Sequence, residues 1–286
     1  MEPIINTTPI DVSIVIISWK MRELLKICLD SIYKFTNEIN FEIIVIDNDS
    51  QDGTPEMIEK DYKKITVLKN SANRGVAPAR NQGIRIAKGR YILILDADME
   101  FKENSIAQIY DYMEKNPGVG LLGCKLVDSA NTLQYSCKRY PNLLALVFRR
   151  LEHYKLIANS KTLRDHIMKD WDHNSIKEVD YVIGACQYFR RKLISEVGLY
   201  DDKIFYGPED MDYCLRIWRF GSKVVYYPFT SIFHHEQRIT KKKILSKISI
   251  MHLWGIFTFT GSIKVKLKDE LLSFVKIICL KLLKKY

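Results

Sequence analysis

The chain has 286 residues, 47% of them hydrophobic and 27% charged, which excludes global disorder and collagen-like repeats and allows one large domain or two closely joined ones. Its net charge of +10 is unevenly placed: residues 236–286 hold 12 Lys and Arg against 3 Asp and Glu, while residues 1–235 hold 32 against 31. A nearly neutral body with a basic tail argues against a nucleic-acid partner, since a nucleic-acid-binding domain spreads its cations over its binding face.

The first elements alternate. Val12–Ser18 is a β-branched run that reads as a buried strand, and Leu25, Cys28, Leu29 and Ile32 then recur at helical spacing over 22–35. A second buried strand over 41–46 ends in the polar turn formers Asp47 to Gly53. A helix over Thr54–Asp61, a strand at 65–68, a helix over 76–88 closed by Gly89, and a strand at 91–95 running into Asp96-Ala97-Asp98 follow, then a helix at 104–115 and a strand at 119–124. Continuous apolar strands alternating with helices predict an α/β fold with a parallel sheet covered on both faces, whose ligands bind beyond the carboxyl ends of the strands.

The second half is less regular. Residues 137–178 read as helix and loop, 179–189 as a strand, 209–220 as a helix with Met211, Leu215 and Trp218 on one face, and 223–234 as paired short strands. The six cysteines are scattered without a CxxC spacing and read as small buried hydrophobes in a reducing compartment. No signal peptide is visible at the start, and no run reaches the roughly 18 apolar residues of a spanning helix.

Five groups carry chemistry. Asp96 and Asp98 stand two apart just past a buried strand, where carboxylates can meet a hard cation such as Mg2+ or Mn2+; a solvated turn is the plainer reading. Asp47 ends a strand at the same sheet edge, as an acceptor for a base or ribose, or as an Asx-turn. Glu209 and Asp210 follow Pro208 in the first turn of a helix, where they complement the dipole or supply a general base. His234 and His235 follow an apolar strand, where an imidazole suits a metal or a diphosphate oxygen. Arg80 sits one turn into the helix after Gly75, as a surface cation or a phosphate ligand.

In order along the chain, these groups resemble the family 2 glycosyltransferases of GT-A fold, and rhamnosyltransferase-like bacterial members among them. The stretches that carry the resemblance are VIDNDSQDGT at 45–54, NRGVAPARNQGI at 73–84, GRYILILDAD at 89–98, GAC at 184–186, VGLYDDKIFYGPEDMDYCLRIWRFG at 197–221 and HHEQRIT at 234–240. The resemblance implies a GT-A-type nucleotide-binding sheet with flanking helices over 11–240, with a nucleotide-sugar half at 11–125 and an acceptor half at 126–240. It implies that Asp47, Arg80 and Asp96 bind a dTDP- or UDP-linked sugar, that Asp98 ligates a divalent cation, and that Asp210 is the catalytic base with Glu209 beside it on the acceptor. One of the two histidines, taken as His235, would touch the metal or diphosphate, though spacing does not separate it from His234. The implied reaction is an inverting hexosyl or rhamnosyl transfer to a glycan or lipid-linked hydroxyl in bacterial surface polysaccharide assembly. A non-catalytic nucleotide-sugar or membrane-binding module is the alternative.

Residues 241–286 lie outside that pattern. Leu267, Leu271, Phe274, Val275, Ile278 and Leu282 recur at spacings of three and four with lysines mostly between them. A basic amphipathic helix of this kind predicts contact with an anionic membrane, hence a cytoplasmic protein peripheral to the inner face of the cell membrane.

Overall fold

The structure, a computed structural model, describes residues 9–150 and 154–236; the tail over 241–286 and Cys279 lie outside them. The first half follows the expected alternation: β1 (Val12–Ser18), α1 (Arg22–Phe35), β2 (Phe41–Asp47), α2 (Thr54–Asp61), β3 (Thr66–Lys69), α3 (Val76–Ile86), β4 (Tyr91–Asp96), β5 (Met99–Glu100), α4 (Ser105–Lys115) and β6 (Val119–Val127). Then come β7 (Leu133–Gln134), β8 (Cys137–Lys138), α5 (Leu143–Arg150), α6 (Lys155–Ala158), α7 (Lys161–His166), β9 (Lys177–Glu178), β10 (Tyr181–Val182), β11 (Cys186–Arg190), α8 (Leu193–Val197), α9 (Glu209–Arg219) and β12 (Lys223–His234).

One sheet of order β3-β2-β1-β4-β11-β6-β12-β5 runs through the molecule, with β7 beside β6 and β9 beside β12. Strands β3, β2, β1 and β4 are parallel, but β11 enters antiparallel between β4 and β6, so the sheet is mixed. Because β6 crosses the expected 125/126 division and β11 and β12 flank it, the two halves share one sheet.

Alternate residues of β1 serve opposite faces. Val12, Ile14 and Ile16 pack with Leu25, Cys28, Leu29 and Ile32 of α1 and with Ile106, Ile109 and Met113 of α4. Val15 packs on the other side with Ala77, Ala79 and Ile84 of α3 and with Met211, Tyr213, Cys214 and Ile217 of α9. Each fully buried aliphatic side chain contributes roughly 1.5–3 kcal/mol, so the two apolar layers fix the strand register and with it the strand ends. The five described cysteines are buried and free.

Two expectations for the second half change. The single strand at 179–189 is divided into β10 and β11, with β9 just before it, because the Ile183 N–H donates to Ser136 and the Gly184 N–H to Asp210 rather than along one ladder. The paired strands at 223–234 are one twelve-residue strand that absorbs Pro228 in a register shift between Tyr227 and Ser231.

Candidate active site

The register aligns the carboxyl ends of three strands: Ser18 of β1 lies opposite Asp47 of β2, and Ile17 opposite Asp96 of β4. Polar groups at those ends therefore gather at one edge, beyond the apolar layers that hold the strands.

Asp47 is buried. Its Oδ2 accepts from the Ser50 N–H at 3.3 Å, and its Oδ1 is buried without a partner among the described residues. The loop behind it is held open by Asn48, which donates to Asn73 Oδ1 (3.0 Å) and the Gly75 carbonyl (3.2 Å) and accepts from Asn70 (3.0 Å) and the Arg74 N–H (3.1 Å). Gly75, at φ +89°, admits the chain under Phe205: a Cβ there would lie 2.5 Å from the Phe205 carbonyl oxygen.

Asp96, Asp98 and His234 form the second cluster, with one donor atom of each within 4.8 Å of the others. Burial, reinforced by the charge of Asp96, pushes the Asp98 carboxyl up to about 6, against the pull of His234. Its Oδ1 is buried with no hydrogen-bond partner among the described residues and lies 3.6 Å from His234 Nε2. The other ring nitrogen, Nδ1, lies 2.7 Å from Gln134 Oε1, and since an amide oxygen only accepts, Nδ1 carries the proton. Gln134 Nε2 also donates to the His234 carbonyl at 3.0 Å. Nε2 of a neutral His234 is thereby left with its lone pair facing Asp98. An orphaned carboxylate oxygen, a second carboxylate and an oriented imidazole fit a divalent cation.

The expected His235 is placed elsewhere. Along β12, Thr230, Ile232 and His234 alternate inward, so the next residue turns away. His235 Nε2 lies 3.0 Å from Glu100 Oε2, while its backbone N–H donates to the Asp98 carbonyl at 2.9 Å.

Arg80 and Glu209 also differ from expectation. Arg80 is 2% exposed and aimed into the protein, not at an open edge. It donates to Glu209 Oε1 (2.8 Å), the Gly184 carbonyl (2.8 Å) and Asp96 Oδ1 (3.3 Å), and its guanidinium lies over the Tyr200 ring at 5.6 Å. Burial opposes its charge, but Glu209 and Asp96 hold it ionised well above the usual guanidinium range. Gly184 is small for this reason: a Cβ would lie 2.5 Å from Arg80 Nη1. Glu209 is buried against Arg80 rather than presented to an acceptor, and burial pushes its carboxyl up to about 7, with Arg80 pulling it down and Asp210 raising it.

Asp210, next along α9, is partly exposed. Its Oδ2 accepts from the Gly184 N–H at 3.0 Å and its Oδ1 from the Met211 N–H at 2.8 Å. Asn81 clamps the same region by donating to the Tyr200 carbonyl (2.9 Å) and accepting from the Tyr200 N–H (3.0 Å). One guanidinium thus ties the strand end that carries the cation cluster to the helix that begins with Glu209-Asp210. Asn48, Asn73, Asn81, Tyr200 and Gln134 are site-building residues that spacing alone did not single out. The asparagines stood in the quoted motifs at polar turns and inside α3, where a polar side chain needs a partner.

The family model described as glycosyl transferase family 2 matches residues 13–198. The N-acetylglucosaminyl-diphospho-decaprenol L-rhamnosyltransferase of Mycobacterium tuberculosis (strain ATCC 25618 / H37Rv) is 24% identical over 221 residues, covering 73% of this chain and 71% of that protein. Among solved structures, a mannosyltransferase from Pyrobaculum calidifontis in complex with GDP-Man and Mn2+ superposes with a TM-score of 0.60 at 20% identity, over 90% of this chain and 65% of that one. GalNAc-T7 with UDP, GalNAc and Mn2+ superposes with a TM-score of 0.60 at 19% identity, over 80% of this chain and 44% of that one. Both likenesses are of fold, and this chain spans less than two thirds of either.

Proposed function

The chain belongs to glycosyl transferase family 2, and from that premise we propose that it is an inverting, metal-dependent transferase. In this reading it moves a hexosyl or rhamnosyl group from a dTDP- or UDP-linked sugar to a hydroxyl of a lipid-linked glycan. The observation that carries the proposal is the Arg80 bridge, which bonds Asp96 and Glu209 at once and so brings the strand-end carboxylates beside the helix bearing Asp210.

Asp47, whose buried Oδ1 has no partner among the described residues, takes an N–H or O–H of the base or ribose. Asp96, Asp98 and His234 would hold a divalent cation, whose positive charge would offset that of a departing diphosphate. An imidazole in the donor set favours Mn2+ over Mg2+. Asp210 accepts the proton of the acceptor hydroxyl while that oxygen forms its bond to the anomeric carbon. The bond from that carbon to the diphosphate breaks on the opposite face, the nucleoside diphosphate leaves with the electron pair, and Asp210 returns its proton to solvent. Glu209 and Arg80 set the position of Asp210 from behind and touch neither substrate.

The name of the mycobacterial relative supports a lipid diphosphate acceptor. With the basic tail, that supports a setting in surface polysaccharide assembly at the inner face of the cell membrane. Among the described residues no helix is long and apolar enough to cross a membrane. The test of the base is Asp210→Asn: nucleotide-sugar binding by calorimetry stays within a few-fold of the parent, while transfer falls by at least 100-fold. Transfer at the parental rate would remove Asp210 from that role.

A further inference from the structure

The near-neutral body hides a local excess. Residues 138–169 hold eight Lys and Arg against two Asp and Glu, whereas the rest of residues 1–235 holds 24 against 29. The short helices α5, α6 and α7 lie in this stretch and pack against one another. Their surface is apolar as well as basic. Leu156 is 90% exposed, Tyr154 57% and Leu144 48%, and Lys155 stands between the first two, with Arg149, Lys161 and Lys169 also exposed. The Tyr154 carbonyl caps α6, but its ring and the Leu156 side chain stand exposed on either side of Lys155, and a solvated apolar patch of this kind costs rather than stabilises.

This surface adjoins the base side of the site. β8, which leads into α5, pairs with β10 through Tyr181 and Val182. Two residues beyond β10, Gly184 donates to Asp210. Arg149 and Asp210 both act electrostatically on Tyr181, in opposite directions. The α5–α7 face and Asp210 are thus linked through β8 and β10.

We propose that the α5–α7 face is a docking surface for an anionic lipid bilayer, with Leu156 and Tyr154 entering the headgroup layer and the surrounding Lys and Arg meeting lipid phosphates. The inference deepens the lipid-linked acceptor reading and rests on it: a bilayer held here presents the polar end of a lipid diphosphate to the side where Asp210 waits. Charge selects the occupant. The tail over 236–286, with 12 basic and 3 acidic residues, carries the same sign as this face, as does a second copy of it, and like charge disfavours both as occupants. An amphipathic surface with Tyr and Leu between cations matches the headgroup boundary of an anionic leaflet.

The test places an environment-sensitive NBD label at Leu156→Cys in the full chain carrying Cys279→Ser; the five described cysteines are buried and escape labelling. A label at Lys34→Cys, exposed on α1 across the sheet, is the reference. Vesicles of equal phosphatidylglycerol and phosphatidylcholine are expected to shift the emission at 156 to the blue with a several-fold gain, to leave position 34 unchanged, and to lose the effect when made of phosphatidylcholine alone. Lys155→Gln and Lys161→Gln should each weaken partitioning roughly fivefold. An unshifted label at 156 overturns the proposal, whether the protein cosediments through its tail or fails to bind. Equal shifts at both positions, an equal shift on neutral vesicles, or a label already blue without vesicles because the tail or a second copy covers it, overturn it too. The readout is independent of transfer, so a failure of the catalytic reading leaves it intact and visible.

Discussion

Replacing Arg80 with Met tests whether the cation cluster and the base helix are joined through one side chain. Arg80 makes two bonds of 2.8 Å and one of 3.3 Å in a place almost without solvent. Removing one member of a buried ion pair typically costs about 3–5 kcal/mol. Glu209 has an escape, since burial already lifts its carboxyl to about 7 and loss of Arg80 lifts it further, so it takes up a proton. That places the expected loss near the lower end, about 3 kcal/mol, against a total stability on the order of 5–15 kcal/mol. Urea unfolding at pH 7.5 of the parent, Arg80→Met, Glu209→Gln and the double variant measures it. The double variant should be more stable than the sum of the singles by about 1–3 kcal/mol, because the second substitution removes the stranded carboxylate. Single costs below about 0.5 kcal/mol, or strict additivity, would refute the bridge, because independent surface groups behave that way.

Two further outcomes follow from the same geometry. Gln134→Leu removes the acceptor that fixes the proton on His234 Nδ1, so Mn2+ affinity should fall about 10–100-fold, read by electron paramagnetic resonance of free Mn2+; an unchanged affinity would separate Gln134 from the cation site. The folded values of Asp98 and Glu209, about 6 and about 7, both lie above their ordinary 3.8 and 4.5. Their contribution to stability is therefore full below pH 4 and lost as pH rises through 6 and 7. A cation reverses that loss at Asp98, so Mn2+ should raise the melting temperature more at pH 7.5 than at pH 5, and equal shifts at both values would contradict the assignment of Asp98.

β1, β2 and β4 were legible because each is a continuous apolar run, and Asp47 and Asp96 terminate two of them. The insertion of β11 between β4 and β6 depends on pairings across some ninety residues, which local patterning does not encode. β12 read as two strands because Pro228 ordinarily interrupts a ladder, and here a register shift accommodates it. The choice between the histidines was in reach of strand periodicity: counting by twos from the buried Ile232 gives His234. The role of Arg80 was not, since the partner that buries it stands 129 residues away in sequence, and an Arg after a glycine turn carries the same local pattern whether it meets a phosphate or a carboxylate.

The central claim is that the strand-end carboxylates and His234 hold a cation and a nucleotide together. Titration calorimetry of UDP and dTDP into the parent and into Asp98→Asn, each with Mn2+ and with EDTA, tests it most directly. The account predicts that one of the two nucleotides binds the parent one-to-one only with Mn2+, and that Asp98→Asn weakens this at least tenfold while remaining folded. Equal nucleotide affinity in EDTA, or in Asp98→Asn with Mn2+, would contradict it.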